Sequence, residues 1–448
     1  MFVTGNLFVN FARAFIIHTK RFSAMNKKLK TIITSSLLGI SLLTLHSQEQ
    51  KPELKIYGFV RNDFFYNSRQ NEQSLDGVFH ISPKPIIKDE NGKDKNAIAE
   101  AEMISVSTRL GLDVKGPDML GAKTFAKVEA DFAGSGNMYF VLRLRQAYAK
   151  FNWRHSELLI GQTWHPLFGK VFPNIISLNT GSPIQAFNRS PQISYTYNLG
   201  DYFSISAAAL YQMQYMSQGP EGTSANYMKR AILPNFFIGI ENKTQNWTNG
   251  IGFDTKTIKP NPNASLTSIS ATIYTQYVDS KFQFRLKTLW GQNLSDHLMM
   301  NGYGVSKFDE ITMKETEYTN FDEITMKETE YTNFDILTSW INLVYGKTWR
   351  IGLFAGYSQN LGSNKELAES ATGNFAVYSR GFYQTEQLFA DCLYRASLYL
   401  SYNLPKLSFG AEYNFTSIMY GNIQNNGRTT NNYWVDNHRI AASIIYTF

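Results

Sequence analysis

Residues 101–115 read AEMISVSTRLGLDVK. The even positions are Ile104, Val106, Thr108, Leu110, Leu112 and Val114, and the odd ones are Ser105, Ser107, Arg109, Gly111, Asp113 and Lys115. Only a backbone of period two puts those sets on opposite faces, so the stretch predicts a strand with one apolar and one polar side. Past the turn formers Gly116-Pro117-Asp118-Met119-Leu120-Gly121 the pattern resumes, with Ala122, Thr124, Ala126, Val128, Ala130 and Phe132 against Lys123, Lys127, Glu129 and Asp131. It returns over 281–290 and over 406–416.

Counting such runs gives about sixteen strands, from Leu54–Tyr66 to His438–Phe448. Their connections alternate in length. Those at 116–121, 152–156, 198–201, 242–246, 278–280, 346–348 and 403–406 are short, and each is flanked by longer ones such as 67–102, 164–191, 216–234, 295–335, 360–388 and 417–437. All long loops therefore fall at one end. A soluble sandwich has no reason for this, whereas a meander closed in a bilayer does, because an open edge would leave unsatisfied backbone groups in hydrocarbon. The expected fold is an all-β, transmembrane, antiparallel up-and-down barrel in the outer membrane, with short periplasmic turns and long outer loops. Aromatic residues near strand ends, among them Tyr66, Trp153, Tyr277, Trp290, Tyr345, Trp349, Tyr402 and Tyr446, fit girdles at the headgroup level.

Composition agrees. The 448 residues are 43% hydrophobic and 18% charged, too apolar for a disordered chain, while a mean hydropathy of −0.28 is too polar for membrane helices. The net charge of +7 invites a nucleic-acid partner. Yet Arg13, Lys20, Arg21, Lys27, Lys28 and Lys30 lie in the first 47 residues, which hold no acidic residue, and without them 37 basic residues face 36 acidic ones. No nucleic-acid binding is expected. From Met25 the chain shows a basic n-region (Asn26-Lys27-Lys28-Leu29-Lys30), an apolar run from Thr31 to Leu45 and a cleavage point near Ser47. Residues 25–47 read as a secretory signal peptide, 1–24 as an extension upstream of the true start, and 48–448 as one barrel domain. The lone Cys392 excludes disulfide frameworks and a lipoprotein anchor, and no cofactor or metal is expected.

Two stretches carry resemblances. Ile440, Ala442, Ile444, Tyr446 and Phe448 alternate up to a C-terminal aromatic. This ending resembles the recognition strand of outer-membrane proteins, which implies the barrel assembly machinery as a partner read through Tyr446 and Phe448. The run Leu142-Arg143-Leu144-Arg145-Gln146-Ala147-Tyr148, followed by Leu158-Leu159-Ile160-Gly161-Gln162-Thr163-Trp164-His165-Pro166-Leu167-Phe168, resembles the strand-turn-strand segment of trimeric porins of the DcaP-like and phosphate-selective superfamily of gram-negative bacteria. That resemblance spans roughly Tyr57 to Tyr197. It implies a homotrimeric diffusion channel, set among outer-membrane lipid and lipopolysaccharide, with the loop 164–191 folded into the lumen as a constriction. The charges of that loop are Lys170 and Arg189. The stretch from Gln48 to Leu54 leaves no room for the N-terminal helical extension of DcaP-like proteins, nor for the plug of a TonB-type transporter.

Parity assigns the lumen. Arg61, Arg109, Lys123, Lys127, Glu129, Asp131, Arg143 and Arg145 lie on polar faces of the first four strands, with Arg285, Lys287 and Arg350 on later ones. They are the pore-lining candidates. Such a row can be a selectivity filter, or a structural ladder with Arg109, Arg143 and Arg145 paired to Glu129 and Asp131. Gln146 breaks the alternation around Arg143 and Arg145. The expected function is a porin passing small polar solutes with a mild anion preference. The alternatives are a surface adhesin or receptor acting through the long loops, or an outer-membrane hydrolase. His80, His155, His165, His297 and His438 are scattered and form no triad spacing, so no enzyme is expected. Finally, 308–320 (FDEITMKETEYTN) is repeated as 321–333, an insertion that an outer loop tolerates and a membrane strand does not.

Overall fold

The structure, a computed structural model, describes residues 51–448 except 75–77, 135–140 and 313–323. The leader, its cleavage point and the upstream extension lie outside the described residues.

Sixteen strands form the wall: β1 (Glu53–Asn67), β2 (Glu100–Ile104 and Arg109–Lys115), β3 (Lys123–Asp131), β4 (Arg143–Asn152), β5 (Ser156–Trp164), β6 (Arg189–Leu199), β7 (Phe203–Leu210) and β8 (Asn235–Lys243). They continue as β9 (Trp247–Asn261), β10 (Ala264–Val278), β11 (Phe282–Gln292), β12 (Ile324–Gly346), β13 (Trp349–Ser363), β14 (Leu388–Asn403), β15 (Leu407–Ile423) and β16 (Thr429–Thr447). Each pairs antiparallel with its chain neighbour, and β16 returns to β1 with Phe59 opposite Thr447 and Asn67 opposite Arg439. The sheet is thus closed and has no edge, which is the condition for spanning a bilayer with strands.

The alternation read from the sequence is the inside-outside alternation of this wall. Along β9, Ile251 and Phe253 are exposed while Asp254 and Lys256 are buried; along β16, Ile440, Ile444 and Tyr446 are exposed while Arg439, Ala441 and Ser443 are buried. At the short-turn end, aromatic rings pair across neighbouring strands. Trp247 lies 5.1 Å from Tyr277, and Trp349 lies 4.7 Å from Tyr402.

Strand number and the closed meander agree with the sequence reading; several boundaries do not. Strands β9, β15 and β16 run on past their apolar stretches, which leaves connections of only 262–263 and 424–428, and β12 starts at Ile324, inside the loop expected at 295–335. Conversely, the strand expected to reach Tyr215 stops at Leu210. Strands β12, β15 and β16 contain 23, 17 and 19 residues, whereas crossing the hydrocarbon takes about 9–11. Their outer halves are ribbons beyond the bilayer, where hydrogen bonding continues but no lipid selects apolar residues. The duplicated segment is one of these ribbons. The start of the first copy, Phe308–Thr312, pairs with Ile324–Glu328 of the second, and the rest of the second copy runs into β12.

The break at Gln146 has a structural cause. Glu129 pairs with Gln146 but Ala130 with Leu144, leaving Arg145 as the extra residue of a β-bulge. Two residues then oppose one, and the side-chain parity of β4 switches.

Candidate functional site: the obstructed lumen

Three segments enter the lumen from the long-loop end. The loop 165–188 between β5 and β6 crosses it and is mostly buried, continuously so over 181–188, with Lys170 and Phe172 exposed. Its backbone is held by inward side chains of the barrel wall, most of them on β11–β15. Ser177 and Ile176 amides donate to Glu412 of β15, the Asn174 amide donates to Asn342 of β12, and Lys287 of β11 donates to the carbonyls of Leu167 and Phe168. Arg395 of β14 donates to the Ser182 carbonyl at 2.5 Å, and Arg61 of β1 to the Ile176 carbonyl at 2.7 Å. A loop with that many orphan backbone groups has to find partners when buried, and the inward polar residues supply them.

A second insertion is a hairpin in the first long loop, Asn71–Ser74 paired with Phe79–Pro83. Phe79 packs edge-on against Phe187 at 4.8 Å, and Arg395 reaches past the constriction loop to donate to the Ile81 carbonyl. The third, 293–301, follows β11. Its His297 carbonyl accepts from the Phe187 amide, and the His297 and His165 rings meet at 4.5 Å. Burial, with Lys256 and Lys287 nearby, holds both imidazoles well below their usual pKa, and the His297 ring adds to this for His165, so both are neutral at neutral pH.

Across from the loop, the wall of β1–β4 carries a continuous charged row. Arg143 grips Asp131 through two bonds of 2.9 and 2.6 Å. Arg145 bridges Glu129 at 2.9 Å and Asp131 at 2.8 Å, and Arg109 lies 3.6 Å from Glu129. Tyr57 then connects Glu129 to Lys127, which pairs with Asp113 at 2.7 Å. The ladder expected from parity is therefore present, with Arg61 paired to Asp63 beside it.

Between this row and the loop lies a cavity of about 300 Å³. Arg61, Arg109, Arg143, Arg145 and Asp131 line one side, and apolar loop residues including Phe79, Phe168 and Ile175 line the other. Four guanidinium groups there face three carboxylates, those of Asp63, Glu129 and Asp131. Among the described residues, Arg109 Nε and Arg143 Nη1 are buried without a protein acceptor.

The remaining candidates are placed differently. Lys123 and Arg350 sit at the short-turn rim: Lys123 is mostly exposed and pairs with Asp118, and Arg350 donates to the Lys347 carbonyl of its own turn. Neither lies at the narrow level. Arg285 bonds Gln276 and Asn342 along the wall, and Lys287 serves the loop backbone. Lys170 projects from the loop and pairs with Glu241 of β8 at 2.6 Å. Arg189, expected in the constriction loop, opens β6 instead and is fully buried, stacked over Trp164 at 4.8 Å and donating to the Tyr215 hydroxyl. Parity found the charged row; nothing in the sequence marked the first-loop hairpin, whose residues Phe79–Pro83 are all buried. Among the described residues no group of His, Cys, Asp and Glu could hold a metal ion. The Phe448 amide donates to the Gly58 carbonyl, and its ring occupies the space a side chain at 58 would need.

No family model and no curated protein matches the sequence. Solved structures do match in fold. The outer-membrane channel DcaP of Acinetobacter baumannii aligns with a TM-score of 0.63 at 17% identity, covering 91% of this chain and 100% of that one. An anion-selective porin from Comamonas acidovorans aligns with a TM-score of 0.50 at 9% identity, covering 89% and 100%. The fold is that of a porin-like outer-membrane β-barrel.

Proposed function

We propose that this chain is exported by its leader, assembled into the outer membrane through its C-terminal strand, and works there as a porin. The lumen passes small polar solutes by diffusion and favours anions mildly. One observation carries the preference: the cavity beside the constriction loop is lined by four guanidinium groups and one carboxylate, Asp131, and the four pair with only three carboxylates in all. In a narrow, low-dielectric passage even one excess charge weights permeation by sign. The fold shared with channels supports the reading, as does a loop that narrows the lumen without any plug domain among the described residues. A homotrimer, seated among lipid and lipopolysaccharide, completes the proposal.

Liposome swelling tests it. Purified protein should admit both members of a pair of equal-sized solutes, one anionic and one zwitterionic, with the anion entering faster. An impermeable barrel would move the assignment to an adhesin or receptor working through its outer loops.

A further inference from the structure

The first-loop hairpin meets the constriction loop and the wall in the lumen at a buried histidine. His80 is fully buried. On its own segment it follows Phe79, which packs on Phe187 of the constriction loop. From that loop, Asn179 Nδ2 donates to the His80 carbonyl at 3.0 Å and lies 3.4 Å from Nδ1. From the wall, Arg395 of β14, Arg439 of β16 and Asn414 of β15 face the ring. His80 Nε2 has no partner among the described residues.

The acidic groups nearby are already engaged. Glu412 accepts from two backbone amides and the Ser177 hydroxyl of the constriction loop. Asp63 is held by Arg61 and Ser107. Glu102, with Glu412 and Asp63, faces Arg439. Among the described residues neither Arg395 nor Arg439 makes a salt bridge: Arg395 spends its donors on Thr416 and on the Ser182 and Ile81 carbonyls, and Arg439 bonds Asn67 and covers the Phe65 ring. A proton on His80 would therefore add a third buried cation beside two whose hydrogen bonds go to neutral partners.

We propose that His80 is an acid-sensitive latch: neutral, it docks the paired strands Asn71–Ser74 and Phe79–Pro83 onto the constriction loop and narrows the lumen; protonated, it is repelled by Arg395 and Arg439 and those strands leave. Burial and the two guanidinium groups hold the docked imidazole well below its usual pKa, while a released one titrates near 6.5. The sign follows from linkage: docking is at full strength above about pH 6.5 and weakens as pH falls below it, by up to tenfold per pH unit. Only the conductance arm of the test rests on the channel reading.

Amide hydrogen exchange of the full-length protein in lipid measures docking directly. After correction for intrinsic exchange, amides of 71–83 should open up to tenfold more per pH unit between about 6.5 and 4.5, while β9–β11 amides stay protected. His80→Gln should abolish that dependence, and His155→Gln, in an exposed turn, should retain it. Pore conductance should rise over the same range. Hairpin protection that is flat with pH in the wild-type protein overturns the latch whether or not His80→Gln folds, and an equal pH response in wild type and His80→Gln overturns it too. Absence of conductance at every pH, with the exchange response intact, overturns the channel reading and leaves the latch standing.

Discussion

The two walls of the lumen use the same inward polar parity for different ends. On β1–β4 the charges meet one another across neighbouring strands, so that Arg143, Asp131, Arg145 and Glu129 form a row. On β11–β15 the inward polar residues Lys287, Asn342, Arg395 and Glu412 meet the backbone of the loop that crosses toward them. The first arrangement is set by register and is a property of the sheet. The second needs a guest and exists only because a loop was folded inward.

The largest effect should come from unbalancing the near wall. Asp131→Asn leaves buried Arg143 without its carboxylate and Arg145 with Glu129 alone, and should cost about 3–5 kcal/mol, read as a lower urea midpoint in lipid vesicles. Next, Arg395→Met on the far wall removes three hydrogen bonds, to Thr416 and to the Ser182 and Ile81 carbonyls, while leaving no carboxylate unpaired. Its signature should be a rise in single-channel conductance, because the loop and hairpin loosen while the strand ladder stays intact. If it instead lowered barrel stability as much as Asp131→Asn with conductance unchanged, the contrast between the walls would fail. Glu412→Gln should act in the same direction but less, since the amide oxygen still accepts one bond.

Removing one copy of the repeat, 308–320, should change conductance and stability within about 0.5 kcal/mol, the range for changes away from packed features. The ribbon it shortens lies beyond the bilayer. Smallest of all, Lys123→Ala should leave both readings where they were, because the Lys123–Asp118 pair is exposed at the rim.

What could be read from the sequence divides along the same line. The sixteen strands and the Arg–carboxylate row follow from period two, since parity fixes the face and adjacency fixes the partner. The ends of β9, β15 and β16 were misplaced because pairing outlasts the apolar pattern once a strand leaves the lipid. The switch at Gln146 showed as a broken alternation, and only register revealed the bulge. The hairpin at 71–83 gave no signal. Its recognition by Arg395 and Tyr420 goes through the carbonyls of Ile81 and Pro83, and a carbonyl is the same on every residue. Arg189 illustrates the limit for side chains: its charge suggested the constriction, while its contacts with Trp164, Phe187 and Tyr215 keep it fully buried at the start of β6.

The reversal potential of the purified protein in a planar bilayer under a potassium chloride gradient tests the central claim most directly. A conducting pore whose reversal potential has the sign of chloride preference, and loses it when Arg143 and Arg145 are both replaced by glutamine, is the predicted result. Clear potassium preference in the wild-type pore, or no conductance at all, would contradict it.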